Sequence, residues 1–342
     1  MPVTVALDGH GAEQGFDVLS EGARRAAADG IGLRVFGPAE ELGLDGVEGI
    51  EVVPTEEWIS NEDDPVPAVR ARTGASVVRA AADVAEGRSA AMVSAGSTGA
   101  AMAAATFGLR RLKGVQRPAL AAQLPVPGNP VLFLDVGANA EVRAQHLVQF
   151  AFLGAAFSDA VLGVHRPRVG LLSVGEESGK GREEVVEANA LLADADGIDF
   201  RGNVEGGDIP AGTVDVVVTD GFTGNVALKL MEGTARSVAG AIREAARSNP
   251  LAAAGGLMMR PALGGVRRRL HPDSTGGAIL LGLRSIAVVA HGSAGPDGIA
   301  NAARLAAHSV EVDAIGRTAE LLEAGGAGRG SLSRRSPDPA GP

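Results

Sequence analysis

Short, nearly continuous apolar runs alternate along this chain with stretches in which apolar residues recur every three or four positions. The runs, such as "VTVAL", "AAMV", "VLFL" and "VVV", are typical of buried parallel strands. After "VVV", one face of a helix is marked by Ala227, Met231, Ala235, Val238 and Ile242. Strands that alternate with helices in this way predict a mostly parallel sheet covered on both faces. We therefore expect a three-layer α/β/α fold.

Six of the predicted strands end in polar turns that are rich in glycine, at residues 8–11, 94–99, 135–139, 175–181, 220–225 and 291–293. In open parallel sheets, ligands bind beyond the carboxyl ends of the strands, so we expect the six turns to converge on one cleft. Glycine lets backbone N–H groups approach a ligand closely, and helix N-termini favour anions. Each turn alone is an ordinary tight turn. The six together predict an anion-binding site.

The residues expected to bind phosphate or another substrate group are Asp8, Gly11, Arg72, Ser94, Gly96, Ser97, Thr98, Gly99, Asp135, Gly137, Gly175, Glu176, Lys180, Asn203, Asp220, Gly221, Thr223 and Gly224. Asp8, Asp135 and Asp220 could meet around a magnesium ion, but an Asp at a turn usually caps its own backbone. The stretch "GEESGKG" lacks the spacing of a P-loop, and "GHGAEQG" lacks that of a dinucleotide fingerprint. We predict neither a metal nor an organic cofactor.

Composition excludes several classes of protein. The 342 residues carry a formal net charge of −10, and only 3% are aromatic, which argues against a nucleic-acid partner. There is no cysteine, so disulfides, thiolate metal sites and a cysteine nucleophile are excluded. The opening "MPVTVALDG" reads as a strand and not as a signal peptide. We expect a cytoplasmic protein.

Three segments break the alternation of strands and helices. A basic cluster that could receive an acidic partner, or be ordinary surface charge, consists of Arg110, Arg111, Lys113 and Arg117. Within residues 248–272 an apolar knob suits a bilayer interface or a second copy of the chain, and it consists of Leu257, Met258 and Met259. Residues 324–342 have the composition of a disordered tail. We expect one domain over residues 1–323, with a helical hairpin at about 235–275.

The motifs occur in the order typical of one family: "SAGSTGA", "RPALA", "LDVGANAE", "HLVQFA", "RVGLLSVGEE", "GNVEGGDI", "VVVTDGFTGNVALK", "GGAILLGL" and "AHGS". Over residues 3–307 the chain resembles the bacterial phosphate acyltransferases of phospholipid synthesis. That resemblance implies transfer of a fatty acyl group from acyl carrier protein to inorganic phosphate, without a cofactor. It also implies a homodimer with a fold akin to phosphotransacetylases and isocitrate-type dehydrogenases. The hairpin would contact the inner face of the membrane, near a downstream membrane acyltransferase.

The chain departs from the family pattern at six positions, namely His10, Ala12, Glu13, Ser97, Thr275 and Val289. These changes leave open an acyl-coenzyme A donor or a non-catalytic scaffold that docks the carrier protein. A decarboxylating dehydrogenase would need a metal-carboxylate set and an adenine site, which the sequence lacks.

Phosphate is already nucleophilic and a thiol leaves easily, so the enzyme must hold phosphate and stabilise the tetrahedral oxyanion. We expect Asn139, Asn225 or His291 to stabilise the oxyanion. Lys229 or Arg72 would neutralise phosphate.

Overall fold

One large sheet forms the centre of the molecule. The computed structural model of the protein describes residues 2–126, 130–269 and 272–328. Within them the sheet has eleven strands in the order β3-β2-β1-β4-β11-β10-β5-β6-β9-β7-β8. The strands are β1 Thr4–Asp8, β2 Gly32–Gly37, β3 Ile50–Pro54, β4 Ala91–Ser94, β5 Ala119–Leu124, β6 Val131–Leu134, β7 Arg168–Leu172, β8 Asp199–Val204, β9 Val216–Val218, β10 Ala278–Leu281 and β11 Ile286–Val289.

Helices follow most strands. They are α1 Phe16–Ala28, α2 Ala39–Leu42, α3 Pro65–Ala71, α4 Ser76–Ala85, α5 Thr98–Gly108, α6 Ala144–Ala160, α7 Glu183–Ala193, α8 Asp208–Ala211, α9 Gly221–Ala245, α10 Pro250–Arg269, α11 Pro296–Glu311 and α12 Ala314–Ala324. One face of the sheet is covered by α1, α6, α11 and α12, and the other by α4, α5 and the start of α9. Every residue of β4, β6, β9 and β11 is buried. The predicted three-layer α/β/α fold is confirmed.

The strands run in two opposite directions. The first five in spatial order, from β3 to β11, are parallel to one another. Three antiparallel pairings follow, made by β10 with β11, β10 with β5, and β5 with β6. The last four strands are again mutually parallel, but they run opposite to the first five. Their carboxyl ends therefore lie at the opposite edge of the sheet.

The helices α9 and α10 extend away from the sheet. Only the first turns of α9 contribute to the core, whereas almost every side chain from residue 234 to 259 is exposed. The chain turns back between the two helices, and a Cβ at Gly256 would lie 3.0 Å from the Cβ of Ala246. No described helix combines the length and the apolar character needed to cross a bilayer.

The ordered chain continues past the predicted start of the tail. Ala327 is buried, and its carbonyl oxygen accepts a hydrogen bond from Nε2 of the fully buried Gln149 at 2.9 Å. The same amide also donates to the carbonyl oxygen of Gly114 at 2.8 Å. Residues 329–342, the rest of the predicted tail, lie outside the described residues.

Candidate functional site

The six glycine turns do not converge on one cleft, contrary to the prediction. The turns after β1, β4 and β11, residues 8–11, 94–99 and 291–293, lie together, and we call this the His291 edge. The turns after β6, β7 and β9, residues 135–139, 175–181 and 220–225, lie at the opposite end of the sheet, which we call the Asp135 edge. The physical reason is the antiparallel pairing of β10 and β5, which reverses the second half of the sheet. Asp8 is consequently remote from Asp135 and Asp220, and the described residues contain no metal-binding cluster.

A buried carboxylate organises the first two turns of the His291 edge. Asp8 is buried and accepts hydrogen bonds from Ser94 Oγ at 2.7 Å and from the backbone N–H of His10 at 3.3 Å. Burial raises the pKa of Asp8, although these hydrogen bonds oppose the rise. Gly11 has a φ of +81°, and a Cβ there would come within 3.0 Å of the Cα of Gly96. Asp8 and Gly11 thus fix the turns against each other.

The second turn of this edge starts α5. Ser97 is its N-cap, and the hydroxyl oxygen accepts from the backbone N–H of Ala100 at 3.5 Å. Thr98 and Gly99 form the first turn, where backbone N–H groups have no helical acceptor. Gly99 also packs closely on Pro65, since a Cβ there would lie 3.1 Å from the proline ring. Anion binding by Ser97, Thr98 and Gly99 at this helix start stays a prediction.

His10, one of the positions that departs from the family pattern, is held between aromatic rings. It stacks on Trp58 with centroids 5.3 Å apart and meets Phe16 edge-on at 5.6 Å. Its Nε2 lies 3.0 Å from the carbonyl oxygen of Thr55. The imidazole is thereby held by two ring contacts and by one hydrogen bond.

Helix α9 brings charged side chains to the His291 edge. Nε2 of His291 lies 3.8 Å from a carboxylate oxygen of Glu232, and the other oxygen lies 3.4 Å from Nζ of Lys229. Nδ1 of His291 accepts from the backbone N–H of Ser293 at 3.2 Å, which places the ring hydrogen on Nε2. Asn225, Lys229 and Glu232 are spaced four and three residues apart and therefore share one face of α9. Lys229 and His291 were predicted to be site residues from the sequence, whereas Glu232 was not.

At the Asp135 edge a second buried carboxylate has an architectural role. Asp135 is fully buried, and it accepts from the backbone N–H groups of Leu120, Gly137, Ala138 and Asn139 at 2.8–3.1 Å. Burial raises its pKa, while the hydrogen bonds favour the charged form. The side-chain amide of Asn139 donates to Asp135 at 2.8 Å and to the carbonyl oxygen of Pro118 at 2.7 Å. Both N–H groups of that amide are therefore already engaged.

The two glycines at the start of α9 serve packing. Asp220 is the N-cap and accepts from both the backbone and the hydroxyl of Thr223, at 2.9 and 2.7 Å. A Cβ at Gly221 would lie 2.8 Å from the backbone of Asn139, and one at Gly224 would overlap the carbonyl oxygen of Asp135. The prediction that Gly221 and Gly224 admit an anion is replaced by this finding, because helix and loop backbones already fill the space.

The remaining predicted residues of this edge hold a surface loop. Asn203 is buried, donates to the carbonyl oxygen of Glu177 at 2.8 Å and accepts from Asn189 at 2.9 Å. The hydroxyl of Ser173 donates to the carbonyl oxygen of Lys180 at 2.9 Å. Solvent-facing positions of this loop include Glu176 and Lys180. Their side chains point away from the His291 edge, since the two edges are opposite.

Arg72 is not available as an unpaired cation, because it forms an ion pair. Its guanidinium forms two hydrogen bonds with the carboxylate of Asp63, at 2.8 and 2.9 Å, and a third with the carbonyl oxygen of Trp58. This pairing lowers the pKa of Asp63 to about 2. The expectation that Arg72 neutralises phosphate does not fit this geometry.

The basic cluster lies near the Asp135 edge, beside the turn between β10 and β11. The backbone of Arg110 accepts from Arg284 N–H at 3.0 Å, and Leu112 N–H donates to Gly282. A cavity of about 380 Å³ opens here, with Phe107 and Arg111 in its wall. The predicted docking residues Arg110, Arg111, Lys113 and Arg117 are all exposed.

Solved structures with the same fold include two acyl-transferring enzymes. The EutD phosphotransacetylase from Staphylococcus aureus aligns with a TM-score of 0.57 at 16% identity, over 90% of this chain and 94% of that one. A phosphotransacetylase from Streptococcus pyogenes aligns with a TM-score of 0.58 at 17% identity, over 92% and 94%. At this identity the likeness establishes the fold.

Sequence relatives establish more. A family model described as fatty acid synthesis protein matches residues 3–317. The phosphate acyltransferase of Elusimicrobium minutum is 43% identical over 316 residues, which are 90% of this chain and 92% of that protein. The phosphate acyltransferase of Thermobifida fusca is 43% identical over 336 residues, 96% of this chain and 92% of that protein. This chain belongs to the phosphate acyltransferase family.

Proposed function

We propose that this protein transfers a fatty acyl group from the thioester of an acyl carrier protein to inorganic phosphate, giving acyl phosphate for phospholipid synthesis. Membership of the phosphate acyltransferase family supports the class of reaction. One observation supports the location: the carboxylate of Glu232 lies close to both Lys229 and His291, at the edge of the sheet where α5 also begins. A cation and a ring N–H donor are therefore available at that edge, as are the N–H groups of a helix N-terminus.

Phosphate binding is assigned to the start of α5 and to Lys229. The turns after β4 and β11 are neighbours, because Ala290 N–H donates to the carbonyl oxygen of Ser94 at 2.8 Å. The helix N-terminus supplies N–H groups and a favourable potential for an anion. Lys229 adds a mobile positive charge from the facing helix, and Glu232 keeps it near His291.

The transferred carbonyl is placed against His291. A phosphate oxygen attacks the thioester carbon, the C–O bond forms, and negative charge develops on the carbonyl oxygen. The Nε2–H of His291 then stabilises that oxygen, with Asn225 as a further donor on the same face of α9. As the C–S bond breaks, the carrier leaves as a thiolate and takes a proton from solvent. Asn139 is assigned to loop architecture, since its amide is fully engaged.

The test is an assay of purified protein with acyl carrier protein thioester and phosphate, in which hydroxylamine traps acyl phosphate. His291→Gln should lower turnover by roughly 10²-fold. His165→Gln is the matched control, because His165 is exposed and pairs only with Asp159 on the surface. Acyl-coenzyme A is tested in parallel. Absence of acyl phosphate with every donor, or equal turnover of the two variants, would overturn the proposal.

The exposed basic cluster is proposed as the docking site for the carrier protein. Both proteins are expected to be acidic overall, so contact requires a local positive surface. Reversing the charges of Arg111 and Lys113 together should raise the KM for acyl carrier protein and weaken its dependence on salt. An unchanged KM would place the docking site elsewhere.

Two further surfaces are proposed as contacts of the cytoplasmic protein. The apolar knob on the exposed part of α10 consists of Leu257, Met258 and Met259. This knob is proposed to contact the inner face of the membrane, where a downstream membrane acyltransferase would take up acyl phosphate. Along α9 the exposed large apolar side chains are proposed to pack on a second copy, and they are Phe222, Val226, Leu230, Val238 and Ile242. Vesicle co-sedimentation of Met258→Glu and ultracentrifugation of Leu230→Glu test these two assignments.

A further inference from the structure

His146 occupies an unusual position at the start of α6. The imidazole is only 6% exposed, and its Nδ1 accepts the backbone N–H of Arg143 at 3.1 Å. The ring hydrogen therefore lies on Nε2. The described hydrogen bonds give that N–H no protein partner, and Nε2 is not one of the fully enclosed polar atoms. The donor is therefore open to a ligand that arrives from solvent.

Two arginines, Arg117 and Arg143, act on this ring through their positive charges. Arg117 has only weak contacts with Oδ1 of Asn139, at 3.5 Å, and with the carbonyl oxygen of Glu141, at 3.4 Å. Neither it nor Arg143 takes part in any ion pair of the described residues. Arg182 at the same edge differs, since it pairs with the carboxylates of both Asp220 and Glu184.

The electrostatic environment of His146 is consequently strongly positive. Burial, followed by the charges of Arg117 and Arg143, lowers its pKa to about 4. The N-terminus of α6, a helix of 17 residues, adds further positive potential at the same place. The ring therefore stays neutral near pH 7 and acts as a donor, together with the two guanidinium forks.

We infer that Arg117, Arg143 and His146 form a binding site for a phosphate ester, the phosphodiester that links an acyl carrier protein to its thiol-bearing arm. This inference rests on the proposed function for the identity of the donor. Guanidinium groups and a neutral ring N–H are matched to phosphate oxygens in charge and geometry. Arg117 also belongs to the basic cluster, where the carrier protein is proposed to dock, so the two surfaces are continuous.

The position distinguishes this phosphate from the reacting one. Arg117 contacts Asn139, whose backbone lies against Gly221 at the start of α9. From Gly221 to Lys229 the helix rises about 12 Å. A phosphate bound by His146 is thus too far from His291 to attack the thioester. It is well placed to anchor an arm that follows α9 toward the His291 edge.

The first test measures the pKa of His146 by NMR in the whole protein, with the signal assigned from its loss in His146→Gln. Saturating 4′-phosphopantetheine should raise this pKa by at least one unit, because a bound dianion favours the charged ring. Pantetheine, which lacks the phosphate, should leave it unchanged. No response to 4′-phosphopantetheine, or an equal response to pantetheine, would overturn the inference. A larger shift with inorganic phosphate at the same concentration would reassign the site to the free substrate and overturn it as well.

The second test uses kinetics. Arg143→Gln should raise the KM for acyl carrier protein roughly ten- to hundredfold, since hydrogen bonds to charged groups are worth about 1.5–3 kcal/mol. The KM for phosphate and kcat should stay within about twofold. Arg317→Gln, an exposed arginine on α12, is the matched control and should change none of these constants. A rise in the KM for phosphate instead would contradict the assignment. Failure of the enzymatic assay would leave the NMR result decisive on its own.

Discussion

The contact between Gly224 and the loop of Asp135 gives a sharp prediction. Changing Gly224 to Ala places a methyl group over the carbonyl oxygen of Asp135, 2.9 Å from its carbonyl carbon. A flexible side chain could move aside, but this neighbour is backbone, and five hydrogen bonds to the Asp135 carboxylate fix it. Helix or loop must therefore shift.

The expected cost follows from overpacking. Extra methyl groups in a packed interior usually destabilise by about 1–3 kcal/mol. With a rigid backbone neighbour we expect the upper end, about 3 kcal/mol. The better helix propensity of Ala offsets this by about 1 kcal/mol at most. For a chain of this size a net loss of about 2–3 kcal/mol corresponds to a fall in Tm of roughly 3–4 °C.

Gly233→Ala is the matched control on the same helix, because nothing lies within 4 Å of a Cβ at that position. It should raise stability by about 0.5–1 kcal/mol, since Gly in a helix interior is unfavourable. Thermal and urea denaturation of the two variants and the parent protein provide the comparison. If Gly224→Ala melts at or above the temperature of Gly233→Ala, the close packing of α9 on this loop is wrong.

Three other predictions concern charge. The pKa of His146 is about 4 in the folded protein, against an ordinary value of 6.5. Its contribution to stability is therefore present above pH 6.5 and is lost as the pH falls to 4. The variant His146→Gln keeps a hydrogen-bond acceptor and should reduce that acid-dependent loss of unfolding free energy by up to about 3 kcal/mol in urea titrations. The pKa of Asp8 is raised, so the contribution of this group to stability is present at acid pH and is lost as the pH rises. The Tm of Asp8→Asn should therefore improve relative to that of the parent protein from pH 4.5 to pH 8. A difference in Tm that stays constant over this range would contradict the prediction. Glu232→Gln should lower kcat roughly 10- to 100-fold and change the pH profile of kcat, because the carboxylate positions Lys229 and His291. An unaltered pH profile would show that the role of Glu232 is structural.

The sequence predicted the layers of the fold because periodicity reports burial. The runs that became β1, β4, β6, β9 and β11 are buried on both faces, and such strands carry continuous apolar sequence. Strand direction was not accessible in the same way. A residue pattern has the same period whichever way the neighbouring strand runs, so the reversal at β10 and β5 left no signal.

Glycine turns illustrate a second limit. Gly96 and Gly224 both follow buried strands and a short polar turn, and their sequence contexts look alike. In the structure Gly96 lies in the turn before α5, where a Cβ would come 3.0 Å from the carbonyl oxygen of His10, whereas a Cβ at Gly224 would overlap the carbonyl oxygen of Asp135. The distinction depends on what packs against the glycine from a distant part of the chain. Local sequence does not contain that information.

Glu232 and His146 escaped notice for a related reason. An acid on a helix and a histidine in a helical stretch have ordinary solvated or packed roles, so neither attracts attention alone. Their significance arises from neighbours far away in sequence: His291 in one case and Arg117 in the other. The sequence offered one clue to the role of Glu232. Its spacing from Asn225 and Lys229 places all three residues on the same face of α9.

The crossing of α9 from one edge of the sheet to the other makes its first three turns a spacer of fixed length. Inserting one residue between Gly221 and Glu232 would rotate the distal side chains by about 100° and advance them by about 1.5 Å. Glu232 would then face away from His291, although composition and helicity were unchanged. Beyond residue 233 the helix no longer packs on the sheet, so the same insertion would leave the contact between Glu232 and His291 in place. The inner half of α9 must therefore keep its residue count, whereas that contact does not depend on the length of the outer half.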